Sequence, residues 1–159
     1  MTSENTSGSS SRILVAVIGN LTSKAGFSLI KIAEELDERI IGNCIIRDAD
    51  VDVITLLDWA KDHGVKAVHL VFPPCSSKSR KPGVILTESH EPSTTIGAID
   101  PASIVKDLWM NLTGSLNKKD VVSALKVLST IPFRVYECIP DNNGCDEVFI
   151  SWIKETCNA

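Results

Sequence analysis

Much that would announce a function is missing from this chain of 159 residues. It has no C-x-x-C, no H-x-x-x-H, no G-x-x-x-x-G-K-[ST] and no G-x-G-x-x-G, so the spacings that build zinc sites, P-loops and dinucleotide turns are absent. Long apolar runs are missing as well. The longest, Ile13 to Ile18, falls far short of the ~20 residues that cross a bilayer, and no charged start, long apolar core and small-residue cleavage site stands before it. A soluble, unsecreted, cytoplasmic protein is expected. Basic clusters are scarce: sixteen Lys+Arg against twenty Asp+Glu give a net charge of -4, and nothing is denser than Lys78, Arg80 and Lys81. Nucleic-acid binding through the phosphate backbone therefore lacks electrostatic support. The five cysteines are odd in number and scattered, which predicts reduced thiols rather than a disulfide framework. His63, His69 and His90 sit in separate segments, so no metal is expected. The sequons at Asn5, Asn20 and Asn111 carry no weight without a secretory signal.

What is present reads as alternating strands and helices. Residues 1–11 contain no aliphatic side chain beyond the initiator Met and are expected to form a disordered tail ahead of a single α/β domain over 12–159. Ile13 to Ile18 is short, continuous and β-branched, the composition of a strand covered on both faces. From Ser23 the spacing turns helical, with Phe27, Ile30 and Ala33, joined by Leu29 and Leu36, on one face and Thr22 or Ser23 as cap. Ile40 to Ile46 returns to strand, Val51 to His63 to helix, and Gly64 is placed for a left-handed stop before the strand Lys66 to Phe72. A helix joined to a strand through so short a link implies a βαβ unit and a parallel sheet.

The second half is less regular. Pro73 to Pro92 holds four of the seven prolines and one aliphatic island, Val84 to Leu86, which predicts a long connection enclosing at most a short strand. Asp100-Pro101 opens a helix carrying Ile104, Val105, Leu108 and Leu112, and Asn117 caps another with Val121, Val122, Leu125 and Leu128. Phe133 to Ile139 is the last strand, and Val148, Phe149, Trp152 and Ile153 belong to a closing helix. The fold expected is three-layer α/β: a mainly parallel sheet with helices on both faces.

Few residues invite chemistry. Gly19, Asn20, Thr22 and Ser23, between a strand and a helix, could offer backbone N–H groups and hydroxyls to an anion, although a capped tight turn explains them better. Lys78 and Arg80, with Ser79 and Lys81 beside them, could meet a diphosphate or an anionic membrane, or simply be solvated. Asp48, Asp50 and Asp52 could hold Mg²⁺ or complement a helix dipole. Cys75 has no histidine placed to activate it, and Trp59, Trp109 and Trp152 read as packing residues. No catalytic residue is assigned.

The segment Asp52-Val-Ile-Thr-Leu-Leu-Asp-Trp59 running through Gly64-Val65 into Lys66-Ala-Val-His-Leu-Val71 resembles the helix-strand unit of the cis-prenyltransferase superfamily, closest to its non-catalytic Nogo-B receptor type subunit. Pro132 to Ile139 is similar to a later strand of that family, and the likeness runs in order from Ile40 to Cys157. The family's catalytic Asp-Gly-Asn-Arg stretch is replaced by Ile18-Gly19-Asn20-Leu21, and the residues at Thr156 to Ala159 lack the accessory subunit's R-x-G motif. The resemblance thus implies an accessory subunit, not catalytic alone, supporting dehydrodolichyl-type polyprenyl diphosphate synthesis. Its partner would be a catalytic cis-prenyltransferase subunit supplying the Mg²⁺, with no cofactor of its own. The helices at Asp100 to Leu112 and Val121 to Leu128 would form the interface. It would lie at the cytosolic face of the endoplasmic reticulum, touching the membrane only through that partner. Two alternatives stay open: a Rossmann-like enzyme binding a small molecule or phosphate in the crevice around Gly19 to Ser23 and Pro73 to Arg80, and an orphan protein-interaction domain.

Overall fold

A computed structural model describes residues 12–49, 53–74, 80–92 and 118–158. The expected tail, the helix at Asp100 to Leu112, Asp50, Asp52, Cys75 and Lys78 lie outside the described residues. In chain order the elements are β1 (Ile13–Val17), α1 (Lys24–Leu36), β2 (Ile40–Ile41), β3 (Cys44–Asp48), α2 (Val53–Asp62), β4 (Ala67–Phe72), β5 (Gly83–His90), α3 (Lys118–Leu128), β6 (Phe133–Ile139) and α4 (Asp146–Asn158).

The six strands form one sheet in the order β2-β3-β1-β4-β6-β5. β3, β1, β4 and β6 run parallel, and the two edges, β2 and β5, are antiparallel to their neighbours. Alternation along the strands divides the apolar side chains between two layers. Leu14, Ala16, Val68, Leu70 and Val135 face Leu56 and Ala60 of α2 and Val121, Val122 and Leu125 of α3. Val15, Val17, Val71 and Cys138 face Leu29 and Ile32 of α1 and Phe149 and Ile153 of α4. The three-layer arrangement, with a mainly parallel sheet between helices, is the one the hydrophobic pattern calls for.

Several local readings change. Ile40 to Ile46 is not one strand. Gly42, with φ of 58°, and Asn43 turn the chain back on itself, pairing Ile40 with Ile45 in a small hairpin. Phe27 is 52% exposed rather than buried, because α1 packs through Ala25, Leu29, Ile32 and Ala33, a stripe rotated from the one Phe27 would mark. The aliphatic island at 84–86 is the middle of an eight-residue strand, held by pairing along β6 from Ile139 to Phe133. Gly64 does adopt the left-handed conformation, and Val65 N–H reaches back to Ala60 O to close α2. The expectation of reduced thiols fails at one pair: Cys44 and Cys157 form a disulfide, their Cα atoms 5.3 Å apart across a sequence separation of 113. Spacing along a chain says nothing about proximity that the fold creates.

Candidate functional site

In an open parallel sheet the crevice for ligands lies at the carboxyl ends of the strands where the crossovers change side. Here that point is between β1, which leads through α1 and β2 to β3, and β4, which α2 reaches from β3. The turn after β1 brings Gly19, Asn20, Thr22 and Ser23 together. Ser23 Oγ accepts from Gly26 N–H at 2.9 Å as the cap of α1. Asn20 Oδ1 accepts from Thr22 N–H and from Ser23 Oγ, each at 3.2 Å, and Asn20 N–H donates to Gly26 O. The two glycines permit this approach: a Cβ on Gly26 would stand 2.0 Å from Asn20 Oδ1, and one on Gly19 would stand 2.4 Å from Gly26 O. The polar groups of the turn thus close the turn itself, as a capped connection does.

Farther along the same end, Arg80 is paired within the chain, although its buried Nε has no hydrogen-bond partner. Its Nη2 donates to Glu137 Oε1 at 2.8 Å, and Lys118 Nζ, from the start of α3, donates to Glu137 Oε2 at 2.5 Å. The Glu137 side chain is 7% exposed, and it sits in β6 opposite Ile85 of β5 and beside Phe72 of β4. The sequence held a signal for it: one carboxylate inside a strand otherwise bound for the core. Asp48 N–H donates to Asp37 Oδ1 at 2.8 Å, and Arg47, stacked over Trp59 at 5.1 Å, pairs with Asp37 and Glu38. Among the described residues no group of three His, Cys, Asp or Glu side chains is placed to hold a metal ion.

The opposite end of the strands is different. Beneath the amino ends of β4 and β6 lies a cavity of about 430 Å³ lined by Ile13, Lys66, His69, Glu91, Phe133 and Arg134 among others. His69 stands in β4 between Val15 of β1 and Arg134 of β6. Its ring lies 5.2 Å from that of Tyr136 and 6.3 Å from that of Trp152, centroid to centroid. It is 4% exposed, and its Nδ1 has no hydrogen-bond partner. Burial, then the positive charges of Arg134 and Lys66, lower its pKa from 6.5 to about 4; the imidazole is neutral at physiological pH. A base so weak is a poor acceptor of protons from water, but a neutral ring still donates one N–H without adding charge. The other histidines are engaged: His63 with Trp59, His90 with Glu88 and the Phe133 ring. Cys138, hydrogen-bonded to Cys145 and buried, is held firmly as a thiol and is no activated nucleophile, and Cys145 Sγ donates to Cys138 O.

No family model matches the chain, and no curated protein is similar to it. Solved structures are. The [NiFe] hydrogenase maturation protease HycI from Thermococcus kodakarensis is 17% identical with a TM-score of 0.45, over 91% of this chain and 84% of its own. The hydrogenase maturating endopeptidase HybD from E. coli is 19% identical at 0.43, over 92% and 87%. Pyrrolidone carboxyl peptidase from Thermococcus litoralis is 13% identical at 0.45, over 84% and 78%. Likeness at this level transfers no residue role, substrate or reaction.

The prenyltransferase resemblance is nonetheless overturned, since the structures found similar are peptidases. The unit that suggested it, Asp52 to Val71, is here an ordinary helix-strand crossover of a parallel sheet. Of the interface helices it implied, the one described buries its apolar face, Val121, Val122 and Leu125, in its own core. The accessory, non-catalytic role goes with it, as do the catalytic prenyltransferase partner and its Mg²⁺, dolichol synthesis, glycosylation and the endoplasmic reticulum. Neither alternative, the Rossmann-like phosphate enzyme or the orphan interaction domain, matches the similar structures. Among the described residues no helix is long and apolar enough to cross a membrane.

Proposed function

We propose that this domain takes polypeptide as its substrate, receiving an extended segment as an added strand along the outer edge of β5. The observation that carries the reading is the character of that edge. β5 is eight residues long, pairs among the described residues only with β6, and leaves Ile85 38% and Leu86 49% exposed on opposite faces. Proteins ordinarily blunt such an edge by shortening it or by placing Lys or Pro on it, and the opposite edge, β2, follows that rule with two residues. β5 contains neither Lys nor Pro; its single irregularity, between Leu86 and Glu88, divides it into two short runs. Main-chain hydrogen bonds to such an edge supply affinity and alternate side chains supply selectivity.

The test is amide hydrogen exchange along β5 in the presence of short capped peptides of alternating apolar and polar residues, with mass spectrometry reading in the same samples whether the peptide is cut. Protection at residues 84–89 is expected. Leu86→Lys and Ile85→Lys should abolish that protection while leaving the melting temperature unchanged. Exchange along β5 indifferent to peptide would end the reading.

A further inference from the structure

We propose that the cavity beneath β4 and β6 is a binding site for a monocarboxylate bearing an apolar substituent, its carboxylate held by Lys66 and Arg134 and its body lying against Ile13 and Ala67. The charge count selects the anion. Two cations face the single carboxylate of Glu91, so one negative charge brings the cavity to neutrality, whereas a phosphate dianion overshoots and meets Glu91 at close range. Near that end of β5, Glu88 and His90 are hydrogen-bonded to each other at 2.8 Å.

His69 supplies the second, independent observation. A side chain that is 4% exposed with an unpartnered ring nitrogen is unusual, because a buried hydrogen-bonding group left unpaired forfeits its hydration without compensation. Such a group in a native structure asks for an explanation, and here it lines a cavity large enough for one. Its neutral ring donates a hydrogen bond to a carboxylate that the two cations have already neutralised. The volume, about 430 Å³, falls in the range of pockets that enclose small ligands, roughly 300–1,000 Å³, and Ile13 and Ala67 give it an apolar wall.

Such a carboxylate has two sources, a free acid or the last residue of a polypeptide. The second rests on the reading of β5 as a receiving edge, since Ser89 and Glu91, at the end of that strand, line the same cavity. The experiment uses the full chain, nuclear magnetic resonance and calorimetry. The probes are N-acetyl-leucine, N-acetyl-leucinamide, inorganic phosphate, and peptides ending in leucine with a free or an amidated terminus. N-acetyl-leucine should shift the His69 ring and the Ala67 and Arg134 amides saturably, and the amide should not. Arg134→Gln and Lys66→Gln, both at exposed positions, should keep the melting temperature and weaken binding about tenfold or more. Equal binding of acid and amide, preference for phosphate, or no shift at all would overturn the site. If capped peptides protect β5 while no carboxylate shifts His69, the cavity proposal falls and the β5 reading stands. If N-acetyl-leucine binds and no peptide does, the reverse holds.

Discussion

The two ends of the parallel strands make opposite use of their polar groups. At the carboxyl end, where ligands usually settle, Asn20 and Ser23 close their own turn and Glu137 is clamped between Arg80 and Lys118. At the amino end, His69 is buried without a partner for Nδ1 and two cations face a cavity. The position of a crevice follows from topology, but whether it is available follows from hydrogen bonding. At the carboxyl end Arg80 Nε is also buried without a partner, but the guanidinium is held by Glu137, so binding there must break existing bonds, whereas a cavity with an unsatisfied group gains by being filled.

The largest expected effect falls at the amino end. The disulfide joins Cys44, at the start of β3, to Cys157, next to the cavity-lining Thr156. Closing a loop of 113 residues is worth about 4–5 kcal/mol on the chain-entropy model. Reduction, or Cys157→Ser, should lower the free energy of urea unfolding by that order and speed amide exchange in the last turn of α4. The contacts of Glu137 should be untouched. Equal loosening of both ends would erase the contrast.

Next comes Glu137→Gln, which strikes the clamped end. Removing the charge from a buried pair commonly costs about 3–5 kcal/mol, and because Lys118 and Arg80 keep 17% and 33% of their side chains exposed the lower part of that range, about 3 kcal/mol, is expected. Adding Lys118→Met should recover part of the loss. Urea unfolding of the two single variants and the double variant measures the coupling.

Acid reads out His69. Between pH 6.5 and about 4 the unfolded chain binds a proton that the folded chain refuses. Stability is therefore fully present above 6.5, falls as pH drops through that window, and levels off below about 4. The whole shift corresponds to about 3 kcal/mol. His69→Leu should flatten this segment of the stability profile, measured by urea unfolding across the range. A profile unchanged by the substitution would mean that the ring is not held neutral, and the contrast between the ends would lose its chief support.

Much of this architecture was legible from local chemistry. β1 and β4 are largely runs of aliphatic residues that hardly fit anywhere but a covered strand, and Gly64 stops α2 where a left-handed residue is required. The failures share a cause: each depended on a partner distant in sequence. β5 is exposed at Ile85 and Leu86 and has little periodic signal, so only its pairing with β6 defines it. Phe27 looked like core because the period allowed it, yet α1 meets the sheet through Ala25, Leu29, Ile32 and Ala33, a choice that depends on the elements packed against it. Of the candidate site, Gly19, Asn20, Thr22 and Ser23 share one turn because they are neighbours in sequence. The cavity was invisible, because Ile13, Lys66, His69, Glu91, Phe133 and Arg134 come from separate stretches of chain.

The smallest effect sharpens the comparison most directly. Ser23→Ala removes an acceptor for Gly26 N–H and a donor to Asn20 Oδ1, and loss of a helix cap costs about 1 kcal/mol. Asn20 Oδ1 keeps the Thr22 N–H, and at this exposed turn water can replace the missing hydroxyl, so the loss should not exceed that figure. If the turn is only a cap, Ser23→Ala lowers the unfolding free energy slightly and leaves the N-acetyl-leucine affinity of the His69 cavity unchanged, as calorimetry on the same preparation would record. A fall in that affinity would show the two ends to be coupled through α1 and β1, and the crevice would then belong to the working part of the molecule after all.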